Sequence, residues 1–373
     1  AHSSVAELLS REAGLSLKSF YGNDKKASID IRGMGDTATS NVLILVDGVN
    51  LNEFDLSGAD FTTIALSQIE RVEILRGGGS VEYGDGAVGG VINIITKRGT
   101  QGQTFSGAVE ATRGSFGQED LRASIRAAAG PLATTIHLSQ LDTDGYRKNS
   151  DLRSRNGAIE LRLIPNEIFD IHFRVSSHRD EHGFSGPVSR TQFRTEAGRR
   201  GTDSPQDRGW TDDDSYTLGA HLDFQSKGEL TLQATKRQRT NDYVMGPDLR
   251  FPIRSQLDQI QSERKDYSIR YNLGFDTGFL KHQLATGANR QLGNYARLSG
   301  NQNLGAHANR KIGDLDRRGL FIKNTIAIPG NLSLTLGKRV ETFRTMMLDE
   351  KYDKKCEYIY IPFPVEVSCS PYA

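Results

Sequence analysis

The chain has 373 residues, with 47 Lys and Arg against 46 Asp and Glu, and its mean hydropathy is -0.50. This balance disfavours nucleic acid as a partner, because proteins that bind nucleic acid usually carry a basic surplus. The longest aliphatic run, Val42 to Val46, is far shorter than the roughly 18 to 20 residues of a transmembrane helix, but a transmembrane β-barrel would be compatible with such low hydropathy.

The first hundred residues predict a compact α/β unit with a small mixed sheet. Val5, Leu8 and Leu9 have helical spacing and Gly14 follows them, so a short helix is expected over 4–13. Runs rich in β-branched residues predict strands at 28–32, 41–46, 69–75 and 91–96. Turns are expected at Asp47-Gly48 and at the glycines 77–79.

From about residue 103 the pattern predicts eleven long antiparallel strands that end near 343. Ile159, Leu161 and Leu163, for example, alternate with polar residues, which indicates one apolar face and one polar face. Short links alternate with longer polar segments, interpreted as loops, at 113–118, 143–154, 179–214, 240–264 and 292–316. Alternation alone would also suit a soluble β-sandwich, but turns on one rim and loops on the other are typical of an outer-membrane barrel.

Four motifs occur in the first hundred residues. They are IRGMG from Ile31, LILVDGV from Leu43, IERVEILRG from Ile69, and Tyr83-Gly84 followed by GGVINIITK from Gly89. In sequence and order they resemble the plug of TonB-dependent outer-membrane receptors, and residues 330–339 resemble a strand of the barrel of these receptors. The resemblance implies a mainly β protein with a plug domain at 1–100, barrel strands at 101–345 and a divergent tail at 346–373.

The resemblance also implies a function. Such receptors lie in the outer membrane of Gram-negative bacteria and import a scarce ligand, such as a ferric siderophore, haem or cobalamin, under the action of TonB. Outer-membrane lipid and lipopolysaccharide are expected partners. A receptor-like structural subunit that does not transport, built into a larger outer-membrane assembly, is the alternative.

Two features depart from the family pattern. A TonB box should precede the first plug helix, and this chain begins close to that helix. The barrel of such receptors has about 22 strands, twice the number predicted here. A truncated product, a split receptor completed by a second chain, and one subunit of a composite barrel all remain open.

Two groups of residues are candidates for ligand binding. Asn50, Asn52, Glu53 and Phe54 follow the turn at Asp47-Gly48 and are expected at an apex of the plug. Arg199, Arg200 and Trp210 lie in the predicted loop 179–214, where arginine and an aromatic ring would suit an anionic, partly aromatic ligand.

Three arginines of the plug motifs, Arg32, Arg71 and Arg76, are candidates for a latch. The resemblance implies that they pair with acidic residues of the barrel wall, where a partly buried ion pair is costly to break from one side. Pairing within the plug, with Glu70 or Glu73, is the alternative.

Metal binding and catalysis have only weak signals. Asp212, Asp213 and Asp214 could bind Ca²⁺ as part of a flexible loop, but a solvated acidic loop is favoured, so no cofactor is expected. His178 to His182 spell H-x-x-E-H, a zinc-peptidase pattern that requires a helix, whereas the segment leaves a predicted strand and its histidines are expected in a solvated loop. No enzyme is therefore expected. Cys356 and Cys369 are left open between a disulfide and two idle thiols.

Overall fold

The structure is a computed structural model that describes residues 4–12, 14–19, 25–31, 33–55, 57–100, 102, 105–246, 256–301, 306–351, 354–358 and 367–371. In this part of the chain, no helix combines the length and the apolar character that crossing a membrane would require.

The first hundred residues form a small α/β unit, the plug. Its elements are α1 (Val5–Ser10), β1 (Leu15–Ser19), β2 (Ala27–Ile31), α2 (Ala38–Asn41), β3 (Val42–Val46), β4 (Val49–Asn50), β5 (Ile69–Leu75), α3 (Ser80–Tyr83) and β6 (Gly90–Thr96). Short 3₁₀ turns lie at Gly35–Thr37, Phe61–Thr63 and Leu66–Gln68. The predicted helix and all four predicted strands are present, within a few residues of their expected bounds.

The plug has its own hydrophobic core. Strands β4, β3, β6 and β5 form one sheet in that order, in which β3 and β6 are parallel and the other pairs are antiparallel. Leu9 of α1 and Ile29 of β2 pack with Ile44, Ile92 and Ile94 of this sheet. Between β3 and β4, Asp47 and Gly48 both have positive φ (50° and 82°), as a tight type I′ hairpin requires.

The barrel wall is one antiparallel sheet of eleven strands, in sequence order. Its strands are β7 (Phe105–Arg113), β8 (Glu119–Ala129), β9 (Leu132–Thr143), β10 (Leu152–Leu163), β11 (Phe169–Gly183), β12 (Arg208–Asp223), β13 (Glu229–Met245), β14 (Gln256–Thr277), β15 (Leu280–Asn301), β16 (Ala306–Ile328) and β17 (Leu332–Lys351). The predicted fold class is confirmed. Strands β7 and β17 are the two edges, and in the described residues the wall does not close.

Several strands are longer than the sequence predicted. The predicted loops 179–214, 240–264 and 292–316 are wrong at their ends: β11 continues to Gly183, β14 begins at Gln256 and β15 continues to Asn301. Strand β16 has 23 residues, which at roughly 3.3 Å per residue is about 75 Å, against an apolar band of about 25 Å. Outside that band neither face needs to be apolar, so alternation disappears while the hydrogen-bonded ladder continues.

Two further regions complete the described chain. Between β11 and β12, the long connection contains the short helices α4 (Arg190–Phe193) and α5 (Glu196–Arg199). After β17, which extends past the predicted boundary at 345, the antiparallel strands β18 (Lys354–Tyr358) and β19 (Val367–Pro371) place Cys356 opposite Cys369 in the register. The two alternatives for these cysteines, a disulfide and two idle thiols, both stay open.

Candidate functional site

The plug contacts the inner face of the wall through charged side chains, and most of the charges are divided by sign. The plug supplies the acids Asp47, Glu53, Asp60, Glu82 and Asp85, and the wall supplies the cations Arg174, Arg237, Arg239, Arg270, Arg317 and Lys323. We call this contact the plug–wall interface.

Asp47 joins the plug hairpin to strand β11. Its Oδ2 accepts hydrogen bonds from Nη1 of Arg174 at 2.7 Å and from Oγ1 of Thr96 at 2.6 Å. Its backbone carbonyl accepts a further bond, at 3.1 Å, from the side-chain amide of Gln233 in β13. The tight turn predicted from Asp47-Gly48 therefore also presents a carboxylate to the wall.

A second contact lies closer to the loop rim, on β13. Nη2 of Arg237 is 3.0 Å from Oε1 of Glu53, and Nη2 of Arg239 is 2.6 Å from Oδ2 of Asp60. Asp213 on β12 bonds both guanidinium groups, at 2.6 and 2.9 Å. All five side chains are at most 8% exposed, so these charges compensate one another away from water.

Lys25 brings a plug cation into the same cluster. Its side chain is fully buried, and its Nζ lies 2.6 Å from Oδ2 of Asp60 and also bonds Asp180 of β11. Burial raises the pKa of the Asp60 carboxyl, but Lys25 and Arg239 outweigh it and hold that pKa well below its usual range. Asp60 is therefore a carboxylate shared by a plug lysine and a wall arginine.

Asp180 is flanked by two imidazoles. Nε2 of His178 and Nδ1 of His182 each lie 2.6 Å from a different oxygen of this carboxylate. Ligand atoms of Asp60, His178 and Asp180 lie within 4.8 Å of one another, a spacing that a metal ion could use. Here the ammonium group of Lys25 already bonds both carboxylates, so the chain supplies its own cation.

The residues predicted at the plug apex instead contact the wall or the plug itself. Asn52 is internal scaffolding: its side chain accepts from the amide of Ile44 and donates to backbone carbonyls of the plug. Glu53 belongs to the arginine cluster. The guanidinium of Arg264 lies 4.2 Å from the ring centre of Phe54 and donates to the carbonyl of Asn50. Their role in ligand binding stays a proposal.

The latch was predicted with arginines on the plug and acids on the wall, but at the plug–wall interface most of the acids belong to the plug and most of the cations to the wall. Arg71 is 55% exposed and pairs with Glu73 at 2.9 Å and Glu70 at 3.4 Å on its own strand, which is the local alternative. Arg76 is exposed, and Arg32 lies outside the described residues. The interface arginines come mainly from the wall. A signal for them was present, because Arg237 and Arg239 are two residues apart in a strand and so must share a face.

The loop candidates do not come together around a ligand. Arg199 donates to the carbonyl of Phe193 in its own loop, and the guanidinium of Arg200 lies 5.8 Å from the ring centres of Phe116 and Tyr146. Trp210 is on β12, where the exposed residues alternate with the buried inward-facing ones, so its side chain is on the outer face. Arg199 and Arg200 therefore contact their own rim while Trp210 lies on the outer face, and a role of these residues in ligand binding stays a prediction.

The aspartate trio and the H-x-x-E-H segment both lie in strands, which corrects the expectations for them. Asp213 faces inward to Arg237, whereas Asp212 and Asp214 face outward and pair with Arg179, so one Ca²⁺ cannot contact all three. In β11, His178 and His182 face inward while Glu181 faces the other side, where it pairs with Arg208. This geometry lacks the helix that a zinc peptidase requires.

The long connection between β11 and β12, at the loop rim, is held by side chains that donate hydrogen bonds to its backbone carbonyls. Nδ2 of Asn149 donates to the carbonyls of Phe184, Ser204 and Asp207, at 2.9, 2.6 and 2.9 Å. Arg147 donates to three more carbonyls of the same segment, those of Ser185, Gly186 and Gly201. The connection is thus an ordered cap on this rim.

We expect Asn149→Asp to loosen this cap, because the new carboxylate oxygen would face three carbonyls to which Nδ2 now donates. Trypsin should then cleave after the exposed Arg194 or Arg200 at least about tenfold faster. Asn166→Asp on the opposite rim is the control, since Oδ1 of Asn166 only accepts bonds, from Ile168 and Phe169. Equal cleavage rates in the two variants would refute the role of Nδ2.

Comparison with protein families identifies both parts of the chain. Residues 1–91 match the family model for the TonB-dependent receptor plug domain, and residues 143–352 match the one for the TonB-dependent receptor-like β-barrel. The chain belongs to the TonB-dependent receptor family. The predicted resemblance is therefore confirmed, and the family places the protein in the outer membrane of a Gram-negative bacterium. The family consists of receptors and transporters rather than enzymes.

Solved structures share the fold at low sequence identity. The ferric citrate transporter FecA is 20% identical, with a TM-score of 0.80 over 93% of this chain and 54% of FecA. The ferripyoverdine receptor of Pseudomonas aeruginosa is 15% identical, with a TM-score of 0.78 over 93% of this chain and 51% of that receptor. FyuA, the ferric yersiniabactin uptake receptor of Yersinia pestis, is 17% identical, with a TM-score of 0.66 over 98% and 64%. The chain thus spans between half and two thirds of these receptors.

Proposed function

We propose that the protein is a TonB-coupled importer that binds a ferric chelate on the loop side and admits it along the inner face of the wall. The observation that carries this proposal is the plug–wall interface, which holds the plug against the polar wall by compensated charges. A plug held in this way blocks passage until its contacts break together, because breaking one partner of a buried pair leaves an uncompensated charge.

The ligand class is part of the proposal. Ferric chelates rank first because the similar structures are a ferric citrate transporter, a ferripyoverdine receptor and a ferric yersiniabactin uptake receptor. Haem and cobalamin are the other candidates. TonB, and a second chain that completes the wall, are proposed partners. The structural-subunit alternative has no observation in its favour.

Uptake of radioactive iron tests the proposal. The gene that encodes this chain would be expressed in a strain that lacks its own ferric receptors, and ⁵⁵Fe would be supplied as ferric citrate, ferripyoverdine or ferric yersiniabactin. We expect uptake of one chelate above the empty-vector strain and none after deletion of TonB. Entry of haem or cobalamin alone would refute the ligand class, and uptake that continues without TonB would refute the coupling.

A further inference from the structure

The outer face of the wall, opposite the plug, carries an apolar groove of about 840 Å³. Small residues, Ala220, Ala234 and Ala288, form its floor. Ile269 and Leu320, 43% and 64% exposed, lie in one register row on its sides. On a barrel wall, such a face meets the acyl chains of lipid.

Positive charge closes the groove on its loop side. Arg290 and Arg318 occupy the next register row, directly opposite each other on β15 and β16. Both bond Asp316, whose Oδ2 is 3.0 Å from Nη2 of Arg290 and 2.8 Å from Nη2 of Arg318. Because one carboxylate serves two guanidinium groups, and because these are 45% and 61% exposed, both can bond a further anion.

The excess of charge continues into the neighbouring rows. This part of the outer face carries five cations and three acids. The cations are Lys236, Lys265, Arg290, Arg318 and Arg344, and the acids are Glu263, Asp314 and Asp316. A second hollow, of about 420 Å³, lies here, and its charged lining consists of Lys265 and Arg344 together with Glu263, Asp314 and Asp316. The apolar groove thus ends at the exposed guanidinium groups of Arg290 and Arg318, a combination that suits a lipid with a phosphorylated headgroup.

The position of these cations along the strands determines in which leaflet of the outer membrane they lie. The short links between β14 and β15 and between β16 and β17 lie at the opposite end of the groove from these cations. Short turns of an outer-membrane barrel face the periplasm and longer loops face outward, so the cations lie at the outer edge of the apolar band. In that leaflet of the outer membrane, lipopolysaccharide presents the phosphates of its lipid A.

We propose that lipopolysaccharide docks here, with an acyl chain in the groove and a lipid A phosphate on Arg290 and Arg318. The proposal requires only the outer-membrane location and is independent of the import activity. Arginine suits this role because its planar guanidinium bonds two phosphate oxygens at once.

The test is lipid retention by the full-length protein, extracted from outer membranes in mild detergent and washed. Bound lipid A would be counted by phosphate assay and mass spectrometry. We expect the double variant R290Q/R318Q to retain at least tenfold less lipid A than wild type. Asp316→Asn should retain more than wild type, because it frees both guanidinium groups, an effect that a merely structural role would not produce.

The matched control is R153Q/R155Q, two arginines on the outer face of β10, where the side chain of Arg153 is 72% exposed. Equal loss in the two double variants would overturn the proposal in favour of a general lipid annulus. Should R290Q/R318Q fail to assemble, wild-type protein would be titrated with lipid A carrying two phosphates, with dephosphorylated lipid A, and with phosphatidylglycerol. Equal affinity for the first two, or tighter binding of phosphatidylglycerol, would overturn it as well.

Discussion

Replacing Lys25 with methionine should release the segment of the plug that follows it. The fully buried ammonium group bonds Asp60 within the plug and Asp180 in the wall, so its removal leaves Asp180 with only imidazole partners among those described above. Removing one partner of a buried ion pair typically costs about 3–5 kcal/mol, which is a change of at least about a hundredfold in the open fraction.

Thiol labelling measures this opening. Ser28 in β2 is 7% exposed, so a Ser28→Cys probe should be nearly unreactive towards a membrane-impermeant maleimide in the otherwise unchanged protein, with Cys356 and Cys369 replaced by serine. Lys25→Met should raise its labelling rate at least about a hundredfold. Lys18→Met is the control, because Lys18 lies opposite Ser28 in the register but is exposed. If both lysine variants label at the same rate, Lys25 does not clamp the plug.

A large effect is also expected when Arg239 is replaced with methionine. Arg239 is 1% exposed and bonds Asp60, Asp213 and Glu53, so its loss leaves three buried carboxylates with fewer cations. We expect a cost of about 3–5 kcal/mol. Hydrogen exchange at plug residues 57–64 should therefore accelerate about a hundredfold or more.

The wall offers a matched control for Arg239. Arg179 also pairs with two aspartates, Asp212 and Asp214, but on the outer face, where it is 45% exposed. Exposed ion pairs contribute about 0–1 kcal/mol, so Arg179→Met should change plug exchange less than about fivefold. If Arg239→Met accelerates exchange no more than Arg179→Met, the buried cluster does not hold the plug.

The sequence predicted the plug well because its local signals agree with its tertiary structure. The run from Val42 to Val46 is apolar on both faces and is buried as a central strand, and Asp47-Gly48 adopts the positive φ angles that such a turn needs. In the wall, alternation located the apolar band but not the strand ends. Beyond the band, residues such as Gln259 or Arg310 continue the ladder with no apolar face to indicate it.

The roles of site residues were less predictable, because they depend on which distant strand a side chain meets. Glu53 and Arg71 illustrate the problem. Glu53 follows a turn, as expected of a ligand-binding residue of the plug, yet it is buried against Arg237. Arg71 belongs to a family motif, yet it pairs on its own strand. Charge sign and local spacing do not determine such partners; the packing of the plug against the wall does.

The odd number of strands in the wall limits how the wall can close into a ring. Strands β7 and β17 point in the same direction, because an even number of antiparallel steps separates them. Pairing them directly would create one parallel seam, whereas an all-antiparallel ring requires an odd number of additional strands. A single segment that supplies those strands next to β17 must therefore start on the outer rim and finish on the periplasmic one.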